Sequence, residues 1–503
     1  MVLNRRTVTA GLLIGVFLSS IDSTVVTTAM PSVIGELHGV ALYGWVISAY
    51  LFAFTVATPI AGRLGDSLGR RPVYLFGAGG FMVASALSGL STSIEMLIAF
   101  RALQGIAGGT LFAMTATLLG DLYPLEERGK VQALSSAVWG VSSIMGPLVG
   151  GLFVQINAWR WIFFLNLPFG ALSIAIFMKS YRDHERTRAR TDWVGAALFS
   201  GTVLAALFAL PHANGASVTW AWREAGMLVL AAILGVGFVL NMRRGHPSPF
   251  IPFRLFRSRV VAVASLSGAL AAGVMYSALT FLPLFVQGGM GEPAMVAGMV
   301  ITPMAIGWPG GAAIASRFIL RVGYRPVIVV GTTLLTIAMI TFAFMTRTTP
   351  VFVPVIGMLF LGVGLGFSVT PFMVAVQSAV GFSERATVTA VSTFSRSLGG
   401  TFIVTILSTW MAFTLARELS GVAGGVDVAN KLLSPLERRA LAPDVLAPLQ
   451  SAVEASLKPV FIGMIAVALL AFASALLFPR GKAREVTPEI VESAPVAAAN
   501  PKA

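Results

Sequence analysis

The sequence predicts an all-α polytopic membrane protein, and three observations carry that prediction. First, 56% of the 503 residues are hydrophobic and only 11% are charged, whereas a soluble globular chain is roughly 25% charged. Second, the apolar residues gather into runs close to the ~20 residues that cross a bilayer as a helix. Lipid offers the backbone no hydrogen-bond partner, so each such run must be helical. Third, the basic residues lie in short gaps between the runs, as in loops that face anionic lipid.

Read in order, the runs number fourteen: near 9–31, 43–62, 72–90, 95–119, 131–154, 160–180, 192–211, 224–241, 260–287, 294–316, 325–346, 350–376, 387–414 and 458–478. Arg5 and Arg6 precede the first run as they would in a signal peptide. The next segment is also apolar, so the first run reads as an uncleaved span. Charge sets the orientation. With the N-terminus in the cytoplasm, about 25 of the Lys and Arg fall inside and about 8 outside. Five of those eight lie in or beside one long loop, roughly 415–457, where the positive-inside rule is weak. An even span count puts both termini in the cytoplasm, and an inner-membrane location follows from the same reading.

The net charge of +14 would suggest nucleic acid in a soluble chain. Here the charges belong to loops, and no nucleic-acid partner is expected. The absence of cysteine excludes disulfides, thiolate zinc and iron–sulfur clusters. Four scattered histidines give no metal signature. No nucleophile–base set or phosphate-cradling motif appears, so neither an enzyme nor a cofactor is expected.

Two basic inner loops, Tyr181–Arg190 and Met242–Arg259, flank the seventh and eighth runs and separate two groups of six. The expected organisation is therefore a first bundle over 1–180, a linker with two extra spans over 181–258, a second bundle over 259–478, and a disordered tail over 479–503. The bundles look related. An offset of 254 places GRLGDSLGRRPVYLFG (62–77) on SRFILRVGYRPVIVVG (316–331), aligning Gly69 with Gly323, Arg71 with Arg325 and Pro72 with Pro326. Such a repeat is what a two-bundle transporter carries.

Within the spans, Asp22 is the most informative residue. It lies about 18 Å into the first run at 1.5 Å per residue. A charge at that depth costs several kcal/mol unless it is paired, protonated or wetted. It is either a proton-binding carboxylate or a neutral one hydrogen-bonded between helices. Arg101, about 10 Å into the fourth run, is its natural partner; the alternative is an arginine snorkelling outward. Arg396 in the thirteenth run is too deep to snorkel easily. It faces either a cavity or a backbone carbonyl.

The glycines of Gly62–Arg71 make a tight inner loop. Asp66 there caps a helix or pairs with a nearby arginine, and Arg128 in the next inner loop (121–130) is a candidate. Gly62, Asp66, Gly69, Arg70, Arg71, Asp121 and Arg128 are thus candidates for a conformational switch at the cytoplasmic face. In the fifth run, Gly140, Gly146, Pro147, Gly150 and Gly151 combine a kink with close helix approach. Tyr50, Phe54, Trp139, Tyr276 and Gln287, with Arg396, are candidates for an apolar substrate cavity.

Together these motifs resemble the fourteen-span drug:proton antiporters of the major facilitator superfamily, over nearly the whole chain. SSIDSTVVTTAMP (19–31) is similar to their first-span motif, GRLGDSLGRRPV (62–73) to the superfamily loop motif, LIAFRALQGIAGG (97–109) to the fourth-span motif and MGPLVGG (145–151) to the antiporter motif. WRWIFFLNLPFG (159–170) and FLPLFVQ (281–287) also resemble family segments. The resemblance implies two six-helix bundles with two extra central spans. It further implies proton coupling through Asp22 and Arg101, the export direction, protons rather than a cofactor, and function as a monomer. One departure stands out: the later spans carry no carboxylate, and Arg396 is additional. That argues against divalent cations and for neutral, monocationic or weakly acidic lipophilic substrates. A dedicated exporter of one metabolite is the second expectation.

Overall fold

The computed structural model describes residues 5–123, 125–181, 192–209, 213–214, 217–218, 222–244, 253–380, 385–419, 432, 438 and 443–480. The first half runs α1 (Arg5–Glu36), α2 (Tyr43–Leu68), α3 (Arg70–Gly89), α4 (Ile94–Leu122), α5 (Leu125–Gln155), then α6 (Trp161–Phe164) and α7 (Asn166–Ser180), which together make one span. A hairpin follows, α8 (Trp193–Phe208) and α9 (Trp222–Arg243), with two-residue strands Ala213–Asn214 and Ser217–Val218 pairing between them. The second half runs α10 (Arg259–Leu284) with a π-helical end over Phe285–Gly289, α11 (Ala294–Val322), α12 (Tyr324–Ala343), α13 (Phe352–Ser378), α14 (Arg385–Glu418) and α15 (Pro443–Leu476).

Twelve helices among the described residues are long and apolar enough to cross a membrane. The expected runs near 131–154 and 192–211 fall on α5 and α8. The apolar stretch of α5 is Gly140–Gln155, and α8 has 16 residues, both short of the ~20 a perpendicular span needs. Twelve of the fourteen expected spans are therefore met by length and composition among the described residues. The charge run at 182–190, the Pro-rich stretch 245–252 and the tail from 481 lie outside the described residues.

The two halves repeat one packing scheme. In the first, α1 packs on α5 and α7, α2 on α4, and α3 on α4 and α7. In the second, α10 packs on α14 and α15, α11 on α13, and α12 on α13 and α15. The offset of 254 read from the sequence carries the start of α1 at Arg5 to the start of α10 at Arg259, and α3 to α12 at both ends. Gly69 (φ 101°, ψ 151°) and Gly323 (φ 86°, ψ 177°) make the same turn in the two halves. That backbone region is essentially closed to residues with a Cβ, which explains why a glycine marks the repeat.

The halves meet along α5–α11 and α2–α14. Among the described residues the hydrogen bonds across this seam join Ser32 Oγ to Gln287 Oε1 (3.0 Å), Gln287 Nε2 to the Thr28 carbonyl (3.1 Å), Tyr43 Oη to the Thr280 carbonyl (2.6 Å) and Thr405 Oγ1 to Ser48 Oγ (2.9 Å). All belong to the end of the molecule that carries Glu36, Tyr43 and Gly289. The hairpin packs outside the seam: Phe199 meets Phe238 within it and Phe394 of α14. Asp192 closes the hairpin at its base, accepting from the Gly195 amide (2.7 Å) and from Asn241 Nδ2 (3.0 Å).

Candidate functional site

Asp22 sits near the middle of α1 and is 1% exposed. Isolated there it would be costly, and three donors converge on it. Arg101 Nη1 donates to Oδ2 at 2.8 Å, Gln104 Nε2 to Oδ1 at 2.9 Å and Asn166 Nδ2 to Oδ1 at 2.8 Å. Arg101 and Gln104 are three residues apart on α4 and so share a helix face; Arg101 Nη1 also donates to Gln104 Oε1 at 2.6 Å. Asn166 opens α7, just after the break at Leu165 in the sixth span. Its Nδ2 also reaches Ser85 Oγ (2.9 Å), and that hydroxyl donates to the Phe163 carbonyl (2.8 Å), fixing the break against α3.

Every partner donates to the carboxylate, an arrangement that suits the ionised form, which only accepts. The guanidinium of Arg101 lies 4.2 Å from the centre of the Tyr50 ring, where the cation–π attraction adds to the ion pair. Arg101 Nε and Asn166 Oδ1 are buried without a hydrogen-bond partner among the described residues. The centre is therefore tightly but not completely satisfied. Four helical elements, α1, α2, α4 and α7, meet at it.

The structure thus brings Asp22 and Arg101 together as expected from the sequence. It adds Gln104, Asn166 and Ser85, which sequence reasoning left out. Gln104 was readable as the residue three places after Arg101; Asn166 lay inside the quoted WRWIFFLNLPFG segment.

The other sequence candidates divide. Tyr50 and Phe54 lie on α2 with ring centres 6.0 Å apart, and Phe54 meets Phe112 at 5.5 Å. Tyr276 on α10 lies within electrostatic reach of Tyr50 and of Arg396. By the offset of 254 it occupies the position in the second half that Asp22 holds in the first. Arg396 runs alongside Gly268: a methyl group there would stand 3.1 Å from Arg396 Cγ. No hydrogen bond from Arg396 to a carbonyl exists among the described residues. Gln287, expected on a cavity wall, is instead 5% exposed and bonded into the seam.

Helix α5 continues through Pro147. Gly146 and Gly150 rest on α1 at Thr24 and Val25, while Gly151 faces the Met295 backbone and Gly298 faces the Pro147 carbonyl. The glycine-rich stretch is therefore packed on both α1 and the opposite half; Gly140 faces open space. In the α2–α3 turn Arg71 Nη2 donates to the Met178 carbonyl of α7 at 3.0 Å, Arg70 begins α3, and Gly62 has no neighbour within 4 Å of where a Cβ would be. The side chains of Asp66, Asp121, Arg128 and Trp139 lie outside the described set.

Two helical halves of like packing, joined along a seam, with a buried carboxylate–arginine pair inside the first half, define a polytopic membrane transporter. The sequence profile of the Major Facilitator Superfamily matches residues 12–404, and the chain belongs to that family. It is 32% identical to Multidrug resistance protein 3 of Bacillus subtilis (strain 168), over 98% of both chains. It is 34% identical to Multidrug transporter protein MdtP of the same organism, over 81% of this chain and 75% of that one. Efflux pump dotC of Dothistroma septosporum is 33% identical over 84% of this chain and 70% of its own. Among solved structures, a bacterial homologue of the human lysosomal transporter Spinster, in an inward-facing and unoccupied conformation, superposes with a TM-score of 0.64 at 16% identity. That match covers 94% of this chain and 97% of the other.

Proposed function

We propose that the protein exports lipophilic small molecules in exchange for protons, by alternating access between bundles 1–180 and 259–478. The observation that carries this reading is the buried Asp22–Arg101 pair with its amide donors. A proton and Arg101 compete for the same carboxylate. Protonation of Asp22 releases the arginine; pairing with it expels the proton. A group whose proton affinity changes as the helices around it move is what coupling requires. The multidrug names of the two bacterial relatives support drugs or toxic compounds as cargo.

In this reading the protein lies in the inner membrane with both termini in the cytoplasm, works as a monomer, and binds no cofactor. The linker 181–258 then supplies two further membrane-embedded helices, with α5 tilted or lengthened to complete fourteen. The sealed end of the seam faces outward, so the conformation described is open to the cytoplasm. Gly62, Asp66, Gly69, Arg70 and Arg71, together with Asp121 and Arg128, act as the inner switch, and the Gly146–Gly151 stretch guards the outer seal.

The test is accumulation of substrate in proteoliposomes under an imposed pH gradient. Wild type should concentrate a toxic lipophilic compound, and a protein that only dissipates a substrate gradient would refute the coupling. A second reading, export of one endogenous metabolite, is favoured by the name of one relative, the Acurin A biosynthesis cluster MFS-type transporter of Aspergillus aculeatus, 29% identical over 80% of this chain. A narrow response across a panel of unrelated compounds would select it.

A further inference from the structure

Among the described residues, the second half holds an intramembrane arginine with no counter-ion. Arg396 lies in the apolar span Val391–Glu418 of α14, and among the described residues it makes no hydrogen bond or ion pair. It is not sealed off: the side chain is only partly buried. From Arg259 to Arg417 the sequence contains two acids. Glu292 lies in the connection before α11, and Glu384 precedes α14. A charge inside a span is costly unless something neutralises it.

The internal repeat makes the vacancy specific. The first half pairs its intramembrane arginine with Asp22 on its opening helix. At the matching position of the opening helix of the second half stands Tyr276, whose ring lies against Gly400 of α14, one turn on from Arg396, while the Arg396 stem lies against Gly268 of α10. A phenol stands where the first half has its carboxylate, and Arg396 comes from a different helix than Arg101 does: the offset carries Arg101 to Val355 of α13, whereas Arg396 lies on α14, the counterpart of α5. Tyr276 also packs against the first-half cluster that contains Tyr50, whose ring carries Arg101. Tyr276 and Phe54 thus pack on the cluster of Tyr50, which carries Arg101 and through it the Asp22 centre.

We propose that Arg396 is the anion-binding group of the transport site, and that the substrates it selects are lipophilic organic anions. A carboxylate, sulfonate or phenolate head seats on the guanidinium, whose planar fork matches such groups. An aromatic or alkyl body lies over Tyr276, Tyr50 and Phe54. This rests on the export reading and narrows it: the substrate supplies the charge that Tyr276 does not.

The test uses two probes with one body and opposite permanent charge, 1-pyrenesulfonate and trimethyl(pyren-1-ylmethyl)ammonium. Binding to the purified protein and accumulation in proteoliposomes are both measured. Wild type should bind the sulfonate at least tenfold more tightly than the ammonium. Arg396→Gln should weaken sulfonate binding roughly tenfold or more, and Arg396→Lys should keep most of it. Tyr276→Asp supplies an internal counter-ion; it should lose the sulfonate and gain the ammonium, an inversion that a misfolded protein cannot produce. Unchanged sulfonate affinity in Arg396→Gln overturns the proposal, as does a wild type that prefers the ammonium or binds neither probe. If wild type pumps the ammonium against its gradient without preferring the sulfonate, the export reading survives and the anion site falls. If Arg396-dependent sulfonate binding persists but neither probe is ever concentrated, the anion site survives and the export reading falls.

Discussion

Replacing Asp22 by Asn keeps its volume and most of its hydrogen bonds but leaves nothing to titrate. Under the proposed mechanism Asp22→Asn binds substrate and exchanges it downhill, yet fails to concentrate it under a pH gradient; concentration at the wild-type level would move the proton site elsewhere. Arg101→Ala differs in kind, because it strands a carboxylate that is fully buried. Breaking one side of a buried pair costs about 3–5 kcal/mol, so a lowered melting temperature in detergent should accompany the lost transport. Gln104→Leu removes one donor to Asp22. A hydrogen bond to a charged group contributes about 1.5–3 kcal/mol. Coupled export should slow roughly tenfold or more while membrane insertion stays normal, and an unchanged rate would make Gln104 a bystander. The carboxylate and the arginine were readable from sequence because a charge in an apolar run has no bland place to go. The amides of Gln104 and Asn166 raise no such alarm, and only the folded helices reveal that both point at Asp22.

At the scale of helices, the repeat seen in sequence became a repeat of turns and packing. Gly69 and Gly323 both adopt a positive φ at the junctions α2–α3 and α11–α12. Gly69→Ala and Gly323→Ala should each cost about 1–3 kcal/mol, measured as a loss of thermal stability in detergent. Similar penalties for the two would support equivalent turns, and a neutral Gly69→Ala would contradict the strain argued there. Asp66→Asn and Arg71→Ala, on the same turn, should slow export without affecting insertion if the turn is a switch. Two of the fourteen expected spans differ from the other twelve in length. Helix α8 is apolar but only 16 residues long, and α5 carries its first charged turn, LEERGK, within the same continuous helix. A hydropathy reading counts apolar residues; it does not measure how much of a helix is left once its polar turn is set aside.

For the whole molecule the decisive feature is that, among the described residues, the hydrogen bonds between the halves gather at one end. Alternating access requires the seam at Ser32–Gln287, Tyr43–Thr280 and Ser48–Thr405 to part in each cycle. Its polar contacts are few and neutral, with a hydroxyl or an amide on each side. A neutral hydrogen bond contributes only about 0.5–1.5 kcal/mol net, so such a seal can open without an uncompensated charge. The close approach of Gly151 to Met295 and of Gly298 to Pro147 adds dispersion that is lost just as quickly on separation. Because the chain has no cysteine, the need for opening can be tested at a single pair. Ser48 Oγ and Thr405 Oγ1 are 2.9 Å apart on α2 and α14, so Ser48→Cys with Thr405→Cys places two thiols where a disulfide forms without moving either helix. Oxidation should arrest export and reduction should restore it, while each single variant transports in both conditions. Binding from the open end should survive the cross-link, because the Asp22 centre and Tyr276 are not part of it. A fully cross-linked protein that still exported at the reduced rate would mean that the seam stays shut throughout the cycle, and that substrate leaves by a route other than between the halves.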